Sequence, residues 1–356
     1  MEEEWRWCPL ASSRPNLEQV AAMAGVSRAT VSRVVNGSSS VAPALRERVQ
    51  RAVADLGYVP NHAARALVTR RTDTIALVAS EPDSRVFGDP FFADIVRGVS
   101  HEAMGAGLQV MLLMAQSHAD LDRIERYLRS APIDGVLLIS QHATHDPLPA
   151  AMTRAGIPVV IGGRPLHPDL AVPYVDNDNV GGAEVAARHL LERGRSRVGT
   201  VTGPKDMSAG IDRLAGFKAG AGQAFRAARV ESGDFTMAGG ELATTRLLAR
   251  APDLDGLFAA SDLMAIGALK ALRLAGRRIP DDVAVVGFDD IPMSTFADPP
   301  LTTVRQDTVL QGRAMARMLV SRTRPGLALE PLGDLPPVDA LDHLILPVTL
   351  VVRESS

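Results

Sequence analysis

The sequence predicts an all-α helix-turn-helix head joined to a two-lobed, doubly wound α/β body, and three observations carry that reading. The first is a change of grammar near Thr72. Before it only helical spacing is found; after it short β-branched runs alternate with longer helical patterns, the signature of parallel sheets with crossover helices. The second is a charge partition. The 38 basic and 41 acidic residues give a net charge of −3, which alone argues against a nucleic-acid partner. Yet residues 1–72 carry ten arginines and six acids, net +4, and the remaining 284 residues carry −7. From Asn16 to Thr72 the balance is +5, entirely guanidinium, because the three lysines all lie in the body. Such asymmetry suggests a phosphate backbone as partner for one part and something else for the other. The third is size: 356 residues, 46% hydrophobic and 22% charged, hold two or three globular units and exclude disorder throughout.

The elements follow in order. Residues 1–15 match no pattern and are expected to be a disordered tail; both tryptophans, Trp5 and Trp7, lie there. A domain over residues 16–59 reads as three helices. Leu17, Val20, Ala21 and Ala24 repeat at helical spacing until Gly25 breaks them. Ser27 caps a second helix through Ala29, Thr30, Val31 and Val34, stopping at Asn36 and Gly37. Leu45, Val49, Ala52, Val53 and Leu56 write a third, closed by Gly57. Residues 60–72 are a linker, and 73–356 the body. There the candidate strands are 74–79, 108–114, 135–139, 158–161, 197–202, 256–260, 283–287 and 345–352. Helices are expected at 91–104, 120–129, 182–193, 262–274 and 309–321. Residues 324–342, with Pro325, Pro331, Pro336 and Pro337, read as an exposed loop before the last strand.

The acidic, proline-interrupted start lacks the form of a secretory signal, and no stretch approaches 18 uninterrupted apolar residues. A cytoplasmic, nucleoid-associated protein is expected. A single cysteine, Cys8, forbids an internal disulfide framework and any multi-cysteine metal site.

The run from Leu17 to Gly37 holds the parts of a DNA-reading helix-turn-helix. Ala21 lets two helices approach, Gly25 makes the turn, and Val26, Val31 and Val34 hold the second helix on the first. Arg28, Ala29, Ser32 and Arg33 are left facing outward, a set suited to a major groove. A helical hairpin with a solvated arginine face is the plainer alternative; the agreement of cap, turn, core and outward residues over twenty positions favours DNA.

These residues are identified with a family. AGVSRATVSRVVNG (24–37) and VAPALRERVQRAVADLGYVPNHAARAL (41–67) resemble the head of the lactose/galactose repressor (LacI/GalR) family of bacterial transcription factors, and the likeness continues to the last strand. The resemblance implies that Arg28 and Ala29 read base edges at the centre of each half-site. Arg28 pairs with guanine and Ala29 meets a thymine methyl; Arg33 is a second base or phosphate contact. Ser27, Thr30, Ser32 and Asn36 face phosphates. It further implies a hinge helix over Pro60 to Leu67 that folds on the operator and enters the minor groove. There Asn61 and Ala64 face the duplex and Leu67 is an unstacking wedge, although without the family Leu67 reads as ordinary apolar core. Two wedges imply a homodimer on a double-stranded, pseudo-palindromic operator. The chain ends at Ser356 without the family's heptad tail, so a dimer and no tetramer is expected.

The body carries no GxGxxG after a strand, GxxxxGK[ST], HExxH, GxSxG or paired cysteines, and its histidines show no metal-ligand spacing. No catalysis, metal or cofactor is expected. A two-lobed periplasmic-binding-protein-like shell instead offers a cleft at the carboxyl ends of its strands for a small-molecule effector. Four segments resemble family contact regions. Phe91 and Phe92 are expected to stack on the effector, Asp178 to be the acidic contact, and Arg213 to clamp a hydroxyl pair or carboxylate. Ser261, Asp262 and Asp289 complete the set, although Asp262 reads equally as a helix cap. One arginine with several acids suggests a sugar or sugar derivative. Ser261 stands where many relatives have asparagine, and with no tryptophan in the body any stacking falls to phenylalanine. The competing readings are a stand-alone sugar-binding protein of the periplasmic type and an enzyme on a doubly wound fold; the first lacks an export signal here and the second a nucleophile or cofactor loop.

Overall fold

The structure, a computed structural model, describes residues 15–35, 38, 40–59, 71–131, 133–140, 142, 146–166, 171–333, 335–339 and 341–356. The chain divides into two compact units, Met1–Thr72 and Asp73–Ser356.

The first unit is helical. Helix α1 (Leu17–Ala24) opens with a capping box: Asn16 Oδ1 accepts from the backbone N–H of Glu18 and Gln19, and Gln19 Oε1 accepts from that of Asn16. It closes at Gly25, whose φ of 59° lies in the left-handed region that favours glycine. Helix α2 (Arg28–Val35) starts where Ser27 Oγ accepts from Thr30 N–H at 3.1 Å, the cap its sequence predicts. Helix α3 (Pro43–Leu56) carries Pro43 at its first turn and stops at Gly57. Val20, Val31 and Val49 are fully buried where the three helices meet, with Ala21, Ala24, Val34, Ala52 and Tyr58 around them. Asn36 and the hinge residues Asn61, Ala64 and Leu67 lie outside the described residues.

The second unit has two six-stranded sheets. Lobe 1 is built on β1 (Thr74–Ala79), β2 (Gln109–Met114), β3 (Gly135–Ile139), β4 (Val159–Gly162), β5 (Tyr174–Asn177) and β11 (His343–Leu346), in the order β11-β5-β4-β3-β1-β2 and parallel throughout. Lobe 2 is built on β6 (Val198–Thr202), β7 (Val230–Ser232), β8 (Gly256–Ala259), β9 (Ala284–Asp289), β10 (Thr302–Arg305) and β12 (Thr349–Val351), in the order β12-β10-β9-β8-β6-β7, with β12 antiparallel. Helices α4 (Asp83–Gly88), α5 (Pro90–Gly105), α6 (His118–Ser130), α7 (Leu148–Arg154) and α13 (Thr308–Thr323) belong to lobe 1. Helices α8 (Asn179–Glu192), α9 (Ser208–Ala221), α10 (Met237–Arg250), α11 (Asp262–Leu274) and α12 (Met293–Phe296) belong to lobe 2. The central strands β3 and β8 are buried at every position, as expected of sheets covered on both faces. Helices α5 and α13 pack backbone to backbone at Gly98, where a Cβ would stand 2.2 Å from the carbonyl oxygen of Val309.

Three sequence expectations are corrected. The single strand expected at 345–352 is two strands in different sheets, because Pro347 cannot donate to a ladder and the chain changes lobes there. Strands β5, β7 and β10 are too short and polar to stand out by hydrophobicity. The loop before β11 is exposed for most of its length, yet Leu329, Leu332 and Leu335 pack on the lobe 1 core. Among the described residues, the chain crosses between lobes after β5, after β10 and at Pro347.

Candidate functional site

In the first unit, α2 presents one outward face. Val31 and Val34 are buried, whereas Ser27, Arg28, Ala29 and Arg33 are exposed, and Thr30 and Ser32 half-buried. Arg28 lies 3.7 Å from Glu18 with both side chains in solvent, a pair weak enough for a phosphate or base to displace. Two other head arginines are structural: Arg46 donates to Ser38 O and Arg48 to Ala24 O at the turn. Their charge still contributes to the field of the head, but their geometry serves the fold.

In the second unit a cavity opens between the lobes at the carboxyl ends of the strands. Lobe 1 contributes Ser140 after β3, Gly162 ending β4, Asp176 and Asn177 ending β5, and Arg85, Asp89 and Phe91 from the two helices after β1. Lobe 2 contributes Asn179, Met207, Ser208, Arg213, Phe235, Ser261 and Asp289; Gln306 and Gln311 flank the second crossing. Arg213 is only 5% exposed, and its guanidinium is held by four acceptors. Nε donates to Asn179 Oδ1 at 2.8 Å, Nη1 to Ala260 O at 2.6 Å and Asp289 Oδ1 at 3.3 Å, and Nη2 to Gln306 Oε1 at 3.5 Å. It lies 3.7 Å from the centroid of the Phe288 ring, a cation–π contact on the side away from solvent.

The acids around it are shifted by burial. Asp289 is pushed up to about 7, desolvation outweighing the pull of Arg213, and Asp176 to about 6 for the same first reason. Asp89, which caps α5 by accepting from Phe91 N–H, is also raised by burial. Asp289 and Asp290 both have positive φ, 121° and 60°, so the chain turns sharply after β9 and aims the Asp289 carboxyl at the cavity. Among the described residues no group of three or more His, Cys, Asp or Glu is placed to hold a metal ion, and no helix is long and apolar enough to cross a membrane.

Of the residues expected at the effector, Phe91, Arg213, Ser261 and Asp289 line the cavity, and Ser261 also caps α11 through Met264 N–H. Phe92 does not; it is 1% exposed in the lobe 1 core, its ring edge-on to Phe91 at 5.2 Å. Asp178 is exposed and caps α8 through Gly181 N–H, while Asp176 occupies the cavity wall. Asp262 is 0% exposed behind Asp289, accepting from Thr303 Oγ1 at 2.5 Å and Ile291 N–H at 3.0 Å; burial raises it well above the usual carboxylate range. Sequence reasoning missed Arg85 and Phe235, which no periodicity marks. Asn177 and Asn179 sat unread inside the segment chosen for Asp178.

The chain was compared with known proteins. Residues 16–61 match the family of bacterial regulatory proteins, lacI family, and residues 72–326 match the periplasmic binding proteins and sugar binding domain of LacI family. The HTH-type transcriptional regulator CelR of Thermobifida fusca is 50% identical over 346 residues, 96% of this chain and 98% of that one. A solved transcriptional regulator CelR-cellobiose complex superposes with a TM-score of 0.74 at 48% identity, covering 96% of this chain and all of that one. The lac repressor dimer bound to operator and the anti-inducer ONPF superposes with a TM-score of 0.80 at 26% identity, over 96% and 98% of the two chains. With a helix-turn-helix whose reading face is open and a two-lobed body whose cleft is polar, the chain belongs to the LacI family of bacterial regulatory proteins: a DNA-binding transcriptional regulator with the family's sugar-binding domain.

Proposed function

We propose that the chain is a homodimeric repressor whose effector is an uncharged disaccharide of the cellobiose type, bound in the cleft between the lobes. The observation that carries this reading is the composition of the cavity wall. Three carboxyl groups, Asp89, Asp176 and Asp289, accept from sugar hydroxyls; Arg213, Asn177, Gln306 and Gln311 supply amide and guanidinium groups; Phe91 and Phe235 give apolar faces for ring C–H groups. The cellobiose complex of a regulator 48% identical supports the same ligand class. Cofactor, metal and catalysis have no part in this reading, and the protein acts on the nucleoid in the cytoplasm.

On DNA, Arg28 and Ala29 read base edges, Arg33 a base or phosphate, and Ser27, Thr30, Ser32 and Asn36 hold phosphates. Asn61 and Ala64 face the minor groove, and Leu67 of each protomer wedges a central base step, so the operator is pseudo-palindromic. Effector binding alters the lobes and with them operator affinity, and by linkage the operator complex binds the effector less tightly by the same factor. The test is calorimetric titration with cellobiose, paired with fluorescence anisotropy of an operator duplex. Cellobiose should bind and release the duplex. A flat titration, or Arg213→Ala retaining the full response, would sink the assignment of the cleft.

A further inference from the structure

A second guanidinium enters the cleft from the lobe opposite Arg213. Arg85 stands on α4, the short helix between β1 and α5, and it differs from Arg213 in how its donors are used. All three nitrogens of Arg213 already serve protein acceptors. Arg85 is fixed through Nη1, which donates to Glu81 Oε1 at 2.6 Å and approaches the Met207 sulfur at 3.9 Å. Its Nε is buried and out of a ligand's reach, whereas Nη2, which donates to no acceptor among the described residues, belongs to a side chain that lines the cavity and is the nitrogen left for a ligand oxygen.

Glu81 holds the arm in place. It is 3% exposed, and besides Arg85 it accepts from Ser140 Oγ at 3.0 Å and pairs with His142 Nε2 at 3.4 Å. His142 Nδ1 in turn lies 2.7 Å from Asp206 of lobe 2. With the imidazole protonated, these two cations and two anions balance. The arginine is therefore tethered at Nη1 by Glu81, and its setting is neutral overall. A phosphorylated sugar would bring its charge against Asp89, Asp176 and Asp289 with no unbalanced cation nearby among the described residues. Phe235 relates the two arginines: the Arg85 guanidinium lies 5.2 Å from its ring centroid and that of Arg213 5.8 Å. One aromatic ring thus separates an arginine with four of its five N–H groups engaged from one whose Nη2 is uncommitted among the described residues.

We propose that Arg85, braced by Glu81, is the specificity-determining donor for the sugar ring remote from Arg213, and so sets the preference for an uncharged disaccharide over a monosaccharide. This assignment rests on the disaccharide reading above. On this assignment a ring seated near Arg213 is recognised chiefly by the carboxyl groups, and a second ring beyond Phe235 accepts from Arg85 Nη2.

The experiment is calorimetry on the full chain with cellobiose, and with glucose measured by its displacement of cellobiose. Wild type, Arg85→Ala, Arg85→Lys and Glu81→Gln are compared, with the melting temperature of each unliganded variant as a check on folding. Arg85→Ala should lower the cellobiose-to-glucose affinity ratio about tenfold or more, the range for a lost hydrogen bond to a charged group. Arg85→Lys, which keeps the charge but not the fork, should fall between, and Glu81→Gln should lower the ratio by releasing the arm. An unchanged ratio in Arg85→Ala overturns the assignment, as does a parallel loss of both sugars. A wild-type chain that binds no cellobiose overturns the disaccharide reading itself and this assignment with it; wild type binding while Arg85→Ala binds equally overturns the assignment alone.

Discussion

Arg28 is the residue on which the DNA reading can be tested most sharply. Its side chain is exposed and, among the described residues, paired only in solvent with Glu18, so its removal leaves the head's core untouched. Arg28→Ala should cost about 1–3 kcal/mol of operator affinity and relax preference at one base pair. Binding measured against a panel of single-base operator variants decides it: an equal loss on every sequence would make Arg28 a phosphate contact. At this scale the sequence was legible where chemistry is rare and blurred where neighbours compete. Arg213 and Asp289 were expected at the effector from the family resemblance, and both line the cavity. Phe91 and Phe92 could not be separated, since adjacent helix residues point about 100° apart and only packing shows which faces the cleft. Asp176 and Asp178 share strand spacing, but the chain leaves the strand at Asn177 and turns into α8. The later aspartate is therefore spent on the cap and the earlier one reaches the cavity.

Elements were legible in proportion to how much apolar periodicity they carry. The head's three helices announce themselves through cap, valines and terminal glycine, and each appears where those signals lie. Helix α9 does not, because three glycines and four alanines dilute its apolar stripe, and its sequence reads first as a binding segment. The turn between α1 and α2 offers the element-scale prediction. Gly25 has φ of 59°, and a Cβ there would stand 2.6 Å from Arg48 Nη2, the group that donates to Ala24 O at 2.7 Å. Gly25→Ala therefore places a side chain in the left-handed region, at about 1–2 kcal/mol, and pushes away the arginine that caps α1. Amide exchange should quicken through α1 and α2 while the sheets of the body stay as protected as in wild type. Unchanged exchange in the head would mean that the turn relaxes without strain.

For the whole molecule, the two lobes are legible and their wiring is not, because which sheet a short strand joins is not written in its local pattern. Two of the three crossings place Asn177, Asn179 and Gln306 in the cavity wall, so segments that connect the lobes also touch the ligand site. Among the described residues two ion pairs bridge the lobes directly. Arg164 donates through Nε and Nη2 to both carboxylate oxygens of Asp212 at 3.0 and 2.7 Å, and His142 meets Asp206 at 2.7 Å. They differ in their response to pH. Arginine stays protonated, whereas His142 is held up to about 9, first by Glu81 and then by Asp206, from an ordinary 6.5. Because the folded value lies above the unfolded one, the stability His142 contributes is complete below about 6.5 and is lost as pH rises through about 9. The contribution is modest, since His142 and Asp206 are 31% and 41% exposed and solvent screens them. Melting temperatures taken from pH 6.5 to above 9 should fall more steeply for wild type than for His142→Gln. Small-angle scattering should show the unliganded body expanding over the same range, and expanding at neutral pH in Arg164→Ala. Coincident melting curves for wild type and His142→Gln would remove the histidine from the closure and leave Arg164–Asp212 as the bridge that holds the lobes together.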